Sequence, residues 1–571
     1  MFTRATFTFL LSVVVSVTLL AAQPVYGQHN QGGQDSATGK RTDSKTKNKE
    51  PSAAQMLDDL IAKVKRDKKI QPDKTDEAVN IVTRAGEVLP AAELLNKLYQ
   101  LQQYRRDSVI PTAQRRLSRD MPLDYTILSL QLRKMGQVSA EQIKAHPAAE
   151  AFPGPVPEDA RRVRRRIKID TSAVGWHLGS PRSQYWHSTG LYAAPGGLIT
   201  VTVPEEVTEK GLYVRIGAHS DRLWRKTSWA RAPDICRRFA LTQTETTAAN
   251  AFGGLVYIEV PYDLKIGKIT VTIEGAVRAP YYVLGRTDTA KWRQTIRNNP
   301  APWGELAGRK LILTLPSKVL RTVDDPEDLM KFWDGVMDRY AELLGRETQR
   351  RRLERFVPDV QISAGYMHAG YPLMTMLDIT TTIVDKDRII SNRHHGVWGL
   401  FHELGHNHQN RDWTFRGTTE VTVNLFSLYI MEKVCNIQGK GHPSITDRAR
   451  KRNIERYFAD GCDFEKWKSS PFLALCMYIQ LQEAFGWEPF TKVFKEYRGL
   501  TQEQRPQSDD DKMDQWMVRF SRAVGRNLGP FFQAWGVPTT EKARASIADS
   551  PGWMPQSFPP AKDVSTETAA K

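Results

Sequence analysis

Two histidines four residues apart with a glutamate after the first, His402-Glu403-Leu-Gly-His406, are the residues of this 571-residue chain whose types and spacing most directly imply chemistry. On a helix, positions i and i+4 share a face, so both imidazoles aim at one point. Neutral imidazoles suit Zn²⁺, which takes nitrogen donors in a near-tetrahedral shell. Glu403 lies beside the first ligand, near enough to reach a metal-bound water rather than the metal. That is the placement of a general base acting on a zinc-polarised water. A catalytic zinc site takes three protein ligands and keeps a fourth position open. The third is expected from the helix that follows the loop 410–417, where Glu420 falls in the first turn and the helix dipole favours a carboxylate.

One turn beyond Glu420, Asn424 is placed to hold a ligand imidazole by its second ring N–H. His408 is only two residues from His406 and points to another face. His394 and His395 precede the helix and read as loop or pocket-lining residues. The plain alternative is a structural histidine pair, or a metal site without turnover. The apolar Trp398, Leu400 and Phe401 before the pair, and the glutamate that opens the next apolar helix, weigh toward one Zn²⁺ per chain. Val421, Leu425, Leu428 and Tyr429 give that second helix an apolar stripe, so it should pack beside the first. A further donor, Tyr, Arg or His, usually assists at the carbonyl. Tyr366, Tyr429 and Tyr497 are present, and nothing in their spacing chooses among them.

The elements that must position these residues divide the chain. Met1–Gly27 has a positive start at Arg4, an apolar run over 7–22 and small residues before Gln28, the pattern of a cleaved signal peptide. The polar stretch 28–52 reads as a disordered linker. Residues 53–150 carry apolar residues at three- and four-residue spacing and read as a helical domain or stalk. From 165 to 290 the period changes to two, in segments such as 198–203, 211–216, 255–260 and 268–273 separated by Gly, Pro and Asn. This predicts an antiparallel β-sandwich-like subdomain. Residues 291–545 hold the metal motif. Within them a strand starts at Leu311 and a helix is capped by Asp325 with Pro326 in its first turn. Helical stretches near 471–486 and 511–536 form a C-terminal lobe, and 546–571 is a loose tail. The fold class is therefore α+β and multidomain.

Composition narrows the function classes. Hydrophobic residues make up 40% and charged residues 25%, as in globular proteins. After the leader no apolar run is long enough for a membrane span. The net charge of +17 includes a dense patch, Arg161-Arg-Val-Arg-Arg-Arg166. Export argues against a nucleic-acid partner, and the patch reads first as a solvated edge. Cys236, Cys435, Cys462 and Cys476 lack C-x-x-C spacing, so cysteinyl zinc is not expected; an exported chain with four cysteines permits disulfides in three pairings. Oligomeric state has no signature in the sequence.

The block Gly399-Leu-Phe-His-Glu-Leu-Gly-His-Asn-His-Gln409 followed by Thr419-Glu-Val-Thr-Val-Asn424 resembles the enhancin-like, mucin-degrading metallopeptidases, peptidase family sixty of the metallo class, in the gluzincin group. That family's pattern is H-E-x-x-H, a spacer and a glutamate ligand, which His402, Glu403, His406 and Glu420 match position by position. Tyr185–Gly197 and Ala251–Pro261 extend the resemblance over roughly 180–540. It implies a β subdomain before a gluzincin-type catalytic domain, a zinc held by His402, His406 and Glu420 with Glu403 as base, and protein or glycoprotein substrates of mucin type. The expectation is a secreted zinc endopeptidase. The alternatives are a catalytically weak glycan- or protein-binding scaffold that retains a zinc site, and a zinc hydrolase of a non-peptide bond.

Overall fold

The structure, a computed structural model, describes residues 51–67, 70–172, 184–392, 396–437 and 441–556. The expected leader, nearly all of the linker, His394, His395 and the end of the tail lie outside these residues.

Four long helices open the described chain: α1 (Ala53–Asp67), α2 (Thr75–Val88), α3 (Ala91–Tyr104) and α4 (Pro122–Met135). In α1 the residues buried are Leu57, Leu60, Ile61 and Val64, the three- and four-residue spacing of one helical face. These helices are not a separate stalk. Their core includes Trp229 and Leu223 from the next domain. A two-residue strand β1 (Leu117–Ser118) also pairs antiparallel with Ser228–Trp229.

The period-two region forms an eight-stranded sheet. Its strands are β2 (Val163–Asp170), β3 (Gln184–Ala193), β4 (Ile199–Thr202), β5 (Tyr213–Ile216), β7 (Arg237–Ala240), β8 (Glu245–Ala248), β9 (Gly254–Pro261) and β10 (Lys268–Arg278); β6 is the Ser228–Trp229 strand. The order is β7-β5-β9-β3-β10-β4-β8, with β2 paired to β10, and all these pairs are antiparallel. β10 joins both halves. Its register against β2 shifts between Glu274 and Ala276, across Gly275 at φ 90°, where a Cβ would meet the Leu198 carbonyl oxygen at 2.6 Å. A glycine at such a bulge lets the sheet fold over its own apolar face. Val201, Val214, Ile258 and Val271 fill the interior, which gives the sandwich-like shape. Arg164, Arg165 and Arg166 of the basic patch are exposed on β2, and Arg164 faces Glu274 at 3.4 Å.

A second, six-stranded sheet comes next: β11 (Tyr281–Val283), β12 (Trp303–Ala307), β13 (Leu311–Pro316), β14 (Glu354–Asp359), β15 (Met367–His368) and β16 (Leu373–Met376), in the order β11-β12-β13-β14-β16-β15. β15 is an edge strand, antiparallel to β16. Helix α5 (Pro326–Leu343) starts as expected: the Asp325 carboxylate accepts from Asp328 N at 3.0 Å and Pro326 fills the first position. α6 (Val397–His406) and α7 (Thr419–Lys433) carry the metal motif. α7 differs from the expected stripe. Every residue from Val421 to Met431 is buried, because α5, α6 and α8 (Pro471–Phe485) cover it from different sides. α9 (Glu488–Arg498) and α10 (Asp509–Val524) complete the C-terminal lobe, α10 ending at Gly525 in the left-handed region.

The tryptophans serve packing: Trp229, Trp292, Trp333, Trp413, Trp467, Trp516 and Trp535 are fully buried. None of the four cysteines forms a disulfide. The even count allowed bridges, but Cys435 and Cys476 are buried in the core around α6 and α7 and Cys236 donates to the His219 carbonyl at 3.2 Å. Among the described residues no helix is long and apolar enough to cross a membrane.

Candidate metal centre

Helix α6 ends at His406, so His402 and His406 occupy its last two turns on one face, ring centroids 4.6 Å apart. A loop over 407–418 leads from it into α7, with Glu420 in the first turn. Packing of α6 against α7 closes the triangle. His402 Nε2 lies 3.0 Å and His406 Nε2 3.5 Å from the same Glu420 Oε2. One ligand atom from each of the three residues fits within 4.8 Å of the others.

The outer hydrogen bonds decide which ring nitrogens face the centre. Asn424 Nδ2 donates to the Glu420 carbonyl at 2.7 Å, and Asn424 Oδ1 accepts from Trp398 Nε1 at 3.2 Å. Asn424 Oδ1 is therefore the acceptor for His402 Nδ1–H at 2.9 Å. Gln409 acts in the same way on the other ring. Its Nε2 donates to the Thr419 carbonyl at 2.8 Å and Thr422 Oγ1 at 2.7 Å, so its Oε1 accepts from His406 Nδ1–H at 2.7 Å. Both Nε2 lone pairs thus turn toward a carboxylate. Three electron-rich atoms this close need a cation or protons among them. The donor set, two imidazoles and a carboxylate with both tautomers fixed from outside, fits Zn²⁺.

The local charges agree. Burial alone would raise Glu420, but the adjoining His402 and His406 side chains outweigh it and hold the carboxyl well below its usual range. Glu403 sits among these groups, half-buried, and burial is the main cause that pushes its carboxyl above the ordinary value. A carboxylate raised in this way is a better proton acceptor near neutral pH.

Other candidates are placed elsewhere. His408 is buried on the opposite side of the turn, donates Nδ1–H to the Leu404 carbonyl at 2.6 Å, meets Arg350 through Nε2 and stacks on Tyr340. Tyr429 and Tyr497 are core residues, against Trp487 and Trp516 respectively. Tyr366 is exposed on the loop that leads into β15. Gln409 was missed in the sequence, although its i+3 spacing from His406 was a readable signal. The contact between His368 and Asp221, 147 residues apart, had no such signal.

Residues 275–536 match the family model described as peptidase M60, enhancin and enhancin-like, and residues 158–274 match the N-terminal domain of M60-like peptidases. TRPM8 channel-associated factor 3 of Rattus norvegicus is 42% identical over 371 residues, covering 65% of this chain and 40% of that protein. The chain thus matches about two fifths of that relative's length. Among solved structures, IMPa from Pseudomonas aeruginosa in complex with an O-glycopeptide superposes with a TM-score of 0.56 at 14% identity, over 85% of this chain and 63% of that one. A functionally unknown conserved protein from Bacillus anthracis gives 0.55 at 23% identity, over 68% and 80%. These two likenesses show a shared fold.

Proposed function

The chain belongs to the M60 peptidases, enhancin and enhancin-like, and from that membership we propose that it is a zinc-dependent endopeptidase acting on glycosylated proteins of mucin type. The observation that carries the reading is the convergence of His402, His406 and Glu420 with both Nδ1 atoms tied to side-chain amides. Zn²⁺ bound there would supply Lewis-acid polarisation of the scissile carbonyl and of the attacking water. Glu403 takes the water's proton as its oxygen attacks the carbonyl carbon, and delivers a proton to the leaving amine. Asn424 and Gln409 keep the two rings turned inward throughout. The glycosylated substrate class rests on the likeness to IMPa, whose structure holds an O-glycopeptide. Export rests on the charge and apolar run of Met1–Gly27.

A second reading, a binding scaffold that keeps the metal site without turnover, is favoured by one observation: the 42%-identical relative is named as a channel-associated factor. One assay separates the two. The full chain, with its zinc content measured, is incubated with matched glycosylated and bare peptides. Cleavage in proportion to zinc supports the peptidase. A zinc-loaded chain that cuts none of the panel supports the scaffold.

A further inference from the structure

The loop over 407–418 does what neither metal helix can. His402 and His406 ride on one helix, so α6 itself fixes their spacing. Glu420 belongs to α7, and its place against the two imidazoles depends on how the loop is held. Trp413 and Phe415 anchor the loop by packing. Both are buried, and the Trp413 ring lies 4.7 Å from Phe494 of α9. Packing of this kind fixes where the rings sit, not which way the peptide groups between them face.

Those peptide groups are held by a distant element, the first turn of α10 and the residues just before it. Asp509 Oδ1 accepts from Arg416 N at 2.6 Å across 93 residues of chain. Lys512 Nζ donates to the Thr414 carbonyl at 3.0 Å and lies 3.5 Å from Asp509 Oδ1, so one ion pair straddles the loop. Ser508 caps α10, its hydroxyl accepting from Asp511 N at 3.0 Å, which makes Asp509 the first helical residue. There the helix dipole favours a carboxylate. Arg505 supplies a third hold. It lies 3.3 Å from Asp412, whose side chain is buried, while the exposed Arg411 stands further off at 3.8 Å. A buried carboxylate left without such a partner is strongly destabilising.

From this clamp a line of polar contacts runs to the metal donors. Thr414 Oγ1 donates to the Asn410 carbonyl at 2.9 Å and lies 3.4 Å from Thr422 Oγ1. Thr422 Oγ1 accepts from Gln409 Nε2 at 2.7 Å, and Gln409 Oε1 accepts from His406 Nδ1–H at 2.7 Å. Gln409 Nε2 also donates to the Thr419 carbonyl at 2.8 Å, one residue before Glu420. Asn410 Oδ1 accepts from Asp412 N at 3.0 Å, which ties the start of the loop to the residue that Arg505 holds. Gln409 therefore bridges the two ends of the loop, and its grip on His406 depends on where those ends stand.

Resting on the peptidase reading above, which supplies the zinc, we propose that Asp509, Lys512 and Arg505 are positioning residues for the metal centre. They hold the loop so that Gln409 turns His406 inward while Glu420 faces both imidazoles. The C-terminal lobe thereby sets zinc affinity without supplying a donor. If the three residues only fastened the lobe to the core, their loss would lower the melting temperature of the metal-free chain and leave zinc affinity where it was.

The test uses the full chain and the metal alone. Asp509→Ala combined with Lys512→Met removes the acceptor and the ammonium and keeps the lysine's stem. Both side chains are half-buried, and Trp413 and Phe415 stay in place, so the metal-free melting temperature should change little. Zinc affinity, from competition against a chelator, should fall about 10–100-fold, the size of a lost outer support. With Co²⁺ in place of zinc, the visible bands of this variant should shift, because they report the arrangement of the donors. Asp509→Asn keeps Oδ1 as an acceptor for Arg416 N and should bind zinc nearly as the wild type does, whereas Asp509→Ala should not. That pair of single variants decides alone if the double variant does not fold. Wild-type zinc affinity in the double variant overturns the proposal. So does a loss in Asp509→Asn as large as in Asp509→Ala, since the charge and not the held peptide group would then be responsible. No step here needs a substrate, so a zinc-loaded wild-type chain that cleaves nothing would sink the peptidase reading and leave the positioning result standing.

Discussion

Asn424 and His402 are joined at 2.9 Å, and the same amide also donates to the backbone carbonyl of Glu420 at 2.7 Å. One side chain therefore fixes the ring of one metal-type donor and the helical turn that carries another. Asn424→Ala should leave all three donors in the chain while loosening two of them. Loss of such an outer partner costs about 10–100-fold in metal affinity. Competition against a chelator of known zinc affinity measures it, and an unchanged affinity would show that packing alone orients His402.

Glu420→Ala should release the metal outright, because two histidines are too few to hold a catalytic zinc. The next acid along α7 is engaged elsewhere. Glu432, three turns along α7, accepts from Trp487 Nε1 at 2.8 Å and Gln482 Nε2 at 3.2 Å. Zinc content after dialysis is the readout. Full retention would place the third ligand elsewhere.

How much of the fold and the site was legible in the sequence depends on the length scale of each relationship. His402, His406, Glu420 and Asn424 sit within two consecutive helices, so helical spacing alone brings them onto facing sides. The strands over 199–202 and 268–278 show in the alternation of side chains, because one face is buried and the other is not. Asp221 and His368 could not be paired in this way. Their approach is made by a loop of one domain docking on the edge of another sheet, and no local period records it. The cysteine count could not decide for a related reason: an even number expresses capacity, whereas a bridge needs two thiols brought close by tertiary structure.

The attachment of the N-terminal helices was also hidden, and it carries a stability prediction. Trp229 lies fully buried in the helical core, stacked on Tyr125 at 4.2 Å, with its Nε1 donating to the Leu223 carbonyl at 2.9 Å. Two residues later in the same loop comes Arg231, the anchor to Asp359. Trp229→Ala should therefore cost about 3–5 kcal/mol, as large-to-small core changes do. Deleting 51–150 should leave a protein that aggregates, because the apolar face beneath those helices would be uncovered. A truncated chain that stays soluble, unfolds cooperatively and binds zinc would contradict this.

Glu403→Gln separates catalysis from metal binding most cleanly. Gln is nearly the same size and keeps the helix, and Glu403 makes none of the hydrogen bonds that orient His402 or His406, which belong to Asn424 and Gln409. Zinc content should stay near wild type. Glutamine cannot accept the water's proton, so peptide cleavage should fall by about 10²–10⁴-fold, the usual worth of a general base. The variant also removes a negative charge next to the cluster, which would weaken zinc binding slightly and not abolish it. The contrast with Glu420→Ala is the decisive comparison, since that chain fails empty and this one fails loaded. Wild-type cleavage by Glu403→Gln would mean that another group activates the water. Loss of zinc from it would mean that Glu403 holds the site together, and the roles assigned to the two glutamates would have to be exchanged.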